Sequence, residues 1–75
     1  MQKWNYTCTE QTIPDEEGGT RTGYRFTVTE QGRALLCVDD VCGSEHRARE
    51  LERLFRRNQV SPVHVLDVLE DWLIG

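Results

Sequence analysis

Apolar and polar positions divide the chain into an extended half and a helical half. Between Lys3 and Ile13 the apolar or aromatic residues Trp4, Tyr6 and Cys8 fall on alternate positions among threonines, the period-two pattern of a half-buried strand. The stretch "PDEEGGT", Pro14 to Thr20, ends that pattern with a proline, acids and a Gly-Gly pair, which is turn chemistry. A second strand is expected from Arg21 to Glu30 with Tyr24, Phe26 and Val28 on one face, then Gln31-Gly32 as a two-residue hairpin turn, then a third strand through "RALLCVDD". With Glu30 opposite Arg33 and an unbroken ladder, Val28 faces Leu35 and Phe26 faces Cys37, leaving Leu36 and Val38 on the other face of the sheet.

The period changes after Gly43. With Ser44 as N-cap, Ala48, Leu51, Leu54 and Phe55 fall within an arc of about 120°, the stripe of an amphipathic helix lying on a sheet. Asn58 stops that helix, Pro62 suits the first position of the next, and the Ser61 hydroxyl is expected to cap the amide of Val63 or His64. In the second helix Val65, Leu66, Val68, Leu69, Trp72 and Leu73 span about 160°, wider than one contact surface requires, so this helix is expected to pack against more than one thing. The expected fold is α+β: one small domain over 1–75, with a three-stranded antiparallel meander (1–43), helix one (44–59) and helix two (61–74) packed on one face of the sheet.

A chain of 75 residues supports one domain with a thin core and little room for a deep active site. Its 37% hydrophobic and 29% charged residues are those of a folded globular domain. A net charge of -4 disfavours nonspecific binding to nucleic acid or anionic lipid. The start "MQKWNYTCTE" has no apolar signal region and no stretch is long enough to span a bilayer, which together with an odd count of three cysteines leads to the expectation of a cytoplasmic protein with reduced thiols.

The run "NQVSPVHVLDVLEDWL", preceded by the helix "RARELERLFRRN", resembles the C-terminal half of a family of short proteins of unknown function from Clostridia and related bacteria. The resemblance covers about the last forty residues; before them it reduces to a strand-rich start with a Gly-aromatic step, here Gly23-Tyr24. It supports the fold and implies no chemistry.

Several constellations carry candidate chemistry. Cys8, Cys37, Cys42 and His46 supply the ligand types of a structural zinc site, but without a Cys-x-x-Cys knuckle, and buried unligated thiols are the simpler reading. His64, Asp67 and Asp71 form one polar stripe on helix two, a pattern used for general base catalysis or a weak cation site. No nucleophile completes it, so solvated side chains are the simpler reading and the protein is expected not to be an enzyme. Arg49, Arg53, Arg56 and Arg57, with His46, make the footprint of a nucleic-acid-binding helix, yet Glu45, Glu50 and Glu52 stand three or four residues before Arg49, Arg53 and Arg56 and answer much of that charge. The expected function is a small interaction module needing no cofactor. It would bind a protein partner or a second copy through the open sheet face (Leu36, Val38), the wide face of helix two, or polar positions Arg49, Arg53, Arg57, His64, Asp67 and Asp71.

Overall fold

The computed structural model describes residues 3–74; residues 1, 2 and 75 of the expected domain lie outside it. Three antiparallel strands, β1 (Asn5–Pro14), β2 (Thr20–Glu30) and β3 (Arg33–Cys42), form a sheet in the order β1-β2-β3, followed by helices α1 (Glu45–Asn58) and α2 (Val65–Ile74). This is the expected α+β arrangement. A 3-10 turn over Pro62–His64 leads into α2, so the second helix opens as a tight turn and becomes α-helical at Val65. The Ser61 side chain makes no cap; its backbone carbonyl accepts the His64 amide at 2.8 Å, closing the turn without the hydroxyl. Ser44 caps α1 as expected, its hydroxyl accepting the Arg47 amide at 3.3 Å.

Tyr6 and Cys8 of β1, Tyr24, Phe26 and Val28 of β2, Ala48, Leu51 and Phe55 of α1, and Val65 and Leu69 of α2 share one core. At its centre Phe26 meets Phe55 edge-on at 4.8 Å between ring centroids, and Tyr6 touches both rings at 6.1 and 5.5 Å. Offset and edge-on ring pairs of this kind add about 0.5–1.5 kcal/mol beyond the area they bury.

The β2–β3 hairpin departs from the expected register. Glu30 pairs with Arg33 across Gln31 (φ 51°) and Gly32 (φ 80°), and Thr29 pairs with Ala34, but Val28 then pairs with Leu36 rather than Leu35. One extra residue, Leu35, bulges out, and because side chains alternate with period two the slip exchanges the two faces of the strand beyond it. Leu36 and Val38 therefore pack against the core, while Leu35 and Cys37 are exposed. A second irregularity lies between the Phe26–Val38 and Tyr24–Cys42 pairs, where Asp40 adopts φ 55° and the chain re-aims Val41 into the core.

Candidate protein interface

The helical layer is fastened to the sheet along the outer edge of β1. An edge strand presents unpaired amides and carbonyls that invite another chain. Here side chains of α1 and its C-cap take the positions of a neighbouring strand. Glu52 accepts the Cys8 amide at 2.6 Å, Arg49 donates to the Cys8 carbonyl at 3.4 Å, and Arg56 donates to the Tyr6 carbonyl at 3.1 Å. Gln59 completes the row: its Oε1 accepts the amides of Lys3 and Trp4 at 2.9 and 3.1 Å, and its Nε2 donates to the Trp4 carbonyl at 3.2 Å. Gln59 occupies the left-handed C-cap position (φ 44°) that usually favours glycine, and these contacts explain a long polar side chain there. The joint is tied down once more by the Tyr6 hydroxyl, which donates to the Val60 carbonyl.

The arginine stripe expected on α1 is divided by this arrangement. Arg49 and Arg56 are turned to the β1 edge, and Glu52 pairs with Arg49 at 2.7 Å rather than with Arg56. Glu50 turns to His46 at 3.3 Å rather than to Arg53. Among the described residues no carboxylate lies within 4.0 Å of Arg53 or Arg57. These two arginines, with Glu50, Leu54 and Trp72, line a groove of about 660 Å³ between α1 and α2. Leu54 and Trp72 are half-buried and form its apolar part. The Arg47 guanidinium lies 4.3 Å from the centre of the Trp72 ring and helps hold it against α1.

Only part of the wide apolar arc of α2 is used within the molecule. Val65 and Leu69 are buried and Val68 and Trp72 half-buried, whereas Leu66 and Leu73 are 57% and 54% exposed. With Val63 of the 3-10 turn and Ile74, 79% and 80% exposed, they make an apolar ridge on the outer surface, interrupted by exposed Glu70, which stands four residues after Leu66 and three before Leu73. The charged residues of α2, Asp67, Glu70 and Asp71, are all acidic and all exposed.

The remaining candidates are dispersed. The open sheet face carries Thr27 beside Cys37 and an Arg25–Asp39 ion pair at 2.7 Å, so it is polar where the unbroken register placed Leu36 and Val38. Arg21 grips Asp40 on the neighbouring stretch and holds its carboxyl below the usual carboxylate range. Cys8 lies in the core, Cys42 half-buried at its margin, Cys37 on the opposite face, and His46 in solvent. Among the described residues no group of three or more His, Cys, Asp or Glu side chains is gathered to hold a metal ion. Burial, then the nearby Glu52 carboxylate, push the Cys8 thiol up to about 12. His64, at the end of the 3-10 turn, is exposed, as are Asp67 and Asp71, and no hydrogen bond joins the three. Sequence reasoning does not single out Glu52, Arg56 and Gln59 as organising residues. The signal that could have done so is the position of Glu52, four residues after Ala48 and three before Phe55, on the flank of an apolar stripe where a carboxylate needs a partner.

A small α+β domain with an acid-flanked apolar helix on its surface is the class of object these features define. Residues 1–75 match the family of unknown function DUF6514, and the chain belongs to that family. No curated protein and no solved structure matches it. Among the described residues no helix is long and apolar enough to cross a membrane.

Proposed function

We propose that this protein is a small protein-binding domain that docks its partner on α2. The observation that carries the reading is the ridge of Val63, Leu66, Leu73 and Ile74, four large apolar side chains more than half exposed on one short stretch. Scattered apolar residues on a surface need no explanation, but four large ones within twelve residues of a domain with so little core are costly to leave in water. Asp67 and Asp71 stand beside these side chains and Glu70 among them, and no Lys or Arg occurs between Val63 and Ile74, so the fitting partner is an apolar segment flanked by basic side chains.

The reading is tested by calorimetric titration with two model helices, one with a leucine stripe bordered by lysines and one bordered by glutamates. The lysine peptide binds, weakens as salt rises, and loses at least about tenfold in affinity against a Leu66→Asp/Leu73→Asp double variant. Equal binding of the two peptides, no binding of either, or indifference to the double variant would defeat it. Far-UV circular dichroism checks that the variant folds, which the exposure of both leucines leads one to expect.

A further inference from the structure

The ridge asks for an apolar surface edged with base, and the groove between α1 and α2 has that chemistry. Leu54 and Trp72 supply its apolar part and Arg53 and Arg57 its charge, while Glu50, the one acid in its lining, is turned to His46. We infer that the partner seated on the α2 ridge is a second copy of this chain, the ridge of one molecule lying in the α1–α2 groove of the other. The inference rests on the reading of α2 as a docking surface and names its occupant.

Within one molecule the two surfaces do not meet. Successive helical residues are about 100° apart, so Leu73 and Leu66 lie on the flank of α2 turned away from Trp72 and from the groove that Trp72 lines. Like-to-like contact between copies is opposed by charge: ridge on ridge brings together Asp67, Glu70 and Asp71 of both chains, and groove on groove opposes their arginines. Ridge to groove removes both conflicts, places Asp67 and Glu70 near Arg53 and Arg57, and covers Leu66 and Leu73 with Leu54 and Trp72. A reciprocal contact about a two-fold axis closes as a dimer, whereas a one-way contact repeats as an open chain.

Sedimentation equilibrium of the full chain tests this with a charge exchange. Wild type associates as concentration rises, less so at high salt. The Arg53→Glu/Arg57→Glu variant, acidic on both surfaces, and the Asp67→Arg/Glu70→Arg variant, basic on both, are each expected to be monomeric alone at concentrations where wild type associates. Mixed in equal amounts they associate again, because each groove then meets a ridge of opposite charge. Dimers and longer chains both support the ridge-to-groove contact if they show this exchange. A wild-type monomer at about millimolar concentration, or association that ignores the reversals, overturns it. If wild type is monomeric yet still binds the lysine-flanked peptide through Leu66 and Leu73, this inference fails while the docking reading stands; if it neither associates nor binds that peptide, both fail.

Discussion

The Glu52 carboxylate oxygen Oε2 accepts two hydrogen bonds, from the Cys8 main-chain amide at 2.6 Å and from the Arg49 guanidinium at 2.7 Å. One buried oxygen thus joins helix, strand edge and surface cation. A carboxylate 6% exposed is tolerable only because it is paired and because it satisfies an edge amide that would otherwise be buried without a partner. Glu52→Ala removes both functions and is expected to cost about 2–3 kcal/mol, while Glu52→Gln keeps an acceptor for the Cys8 amide and costs about half as much. Urea unfolding of the two variants checks the order; equal losses would show that the ion pair, not the edge amide, dominates.

Alkaline pH should weaken the fold through Cys8. Its thiol is pushed up to about 12 from an ordinary 9.0, first by burial and then by Glu52. The folded state therefore holds this proton more tightly than the unfolded chain, so the contribution is fully present below about pH 9 and is lost as pH rises toward about 12. Denaturant midpoints between pH 8 and 11 are expected to fall, and Cys8→Ala to flatten that fall. In native protein a thiol-specific disulfide reagent should modify exposed Cys37 first and Cys8 only on unfolding.

Phe55 and Trp72 separate core from margin. Phe55 is fully buried between Tyr6 and Phe26, and Phe55→Ala is expected to cost about 3–5 kcal/mol, enough to unfold much of a domain this small. Trp72 is half-buried and held by Arg47, so Trp72→Ala should cost about 1–2 kcal/mol, less than its place in the apolar arc suggested. Thermal melts rank the pair.

Two serines precede helical segments, and only one hydroxyl caps. Ser44→Ala should lose about 1 kcal/mol with the Arg47 amide contact. Ser61→Ala and His64→Ala should each stay within about 0.5 kcal/mol, since the Ser61 hydroxyl makes no cap and the His64 side chain is exposed. Chemical denaturation reads all three, and a larger loss for Ser61→Ala would point to a cap formed in solution.

Gln59 tests whether the joint serves backbone or edge. Glycine relieves the left-handed C-cap conformation, which costs a residue with a Cβ about 1–2 kcal/mol, and if that were all it would stabilise. Because the Gln59 side chain also holds Lys3 and Trp4, Gln59→Gly is expected to destabilise instead and to speed amide exchange at Trp4, read by hydrogen exchange.

Period and punctuation were enough to place three strands, two helices, the Ser44 cap and the surplus apolar arc of α2, because local propensity and amphipathic spacing are properties of neighbouring residues. The faces of β3 were not, since a single bulged residue, Leu35, exchanges inside and outside, and the choice depends on how Leu36, Val38 and Val41 fill a core built from all five elements. Nor could the sequence show that Glu52, Arg49, Arg56 and Gln59 would turn from their own helix to an edge strand more than forty residues earlier. Local pairing rules give Arg49 to Glu45 and Arg56 to Glu52; Arg49 keeps Glu45 at 3.9 Å and gains Glu52, while the unsatisfied backbone groups of the docked sheet draw Glu52 and Arg56 apart.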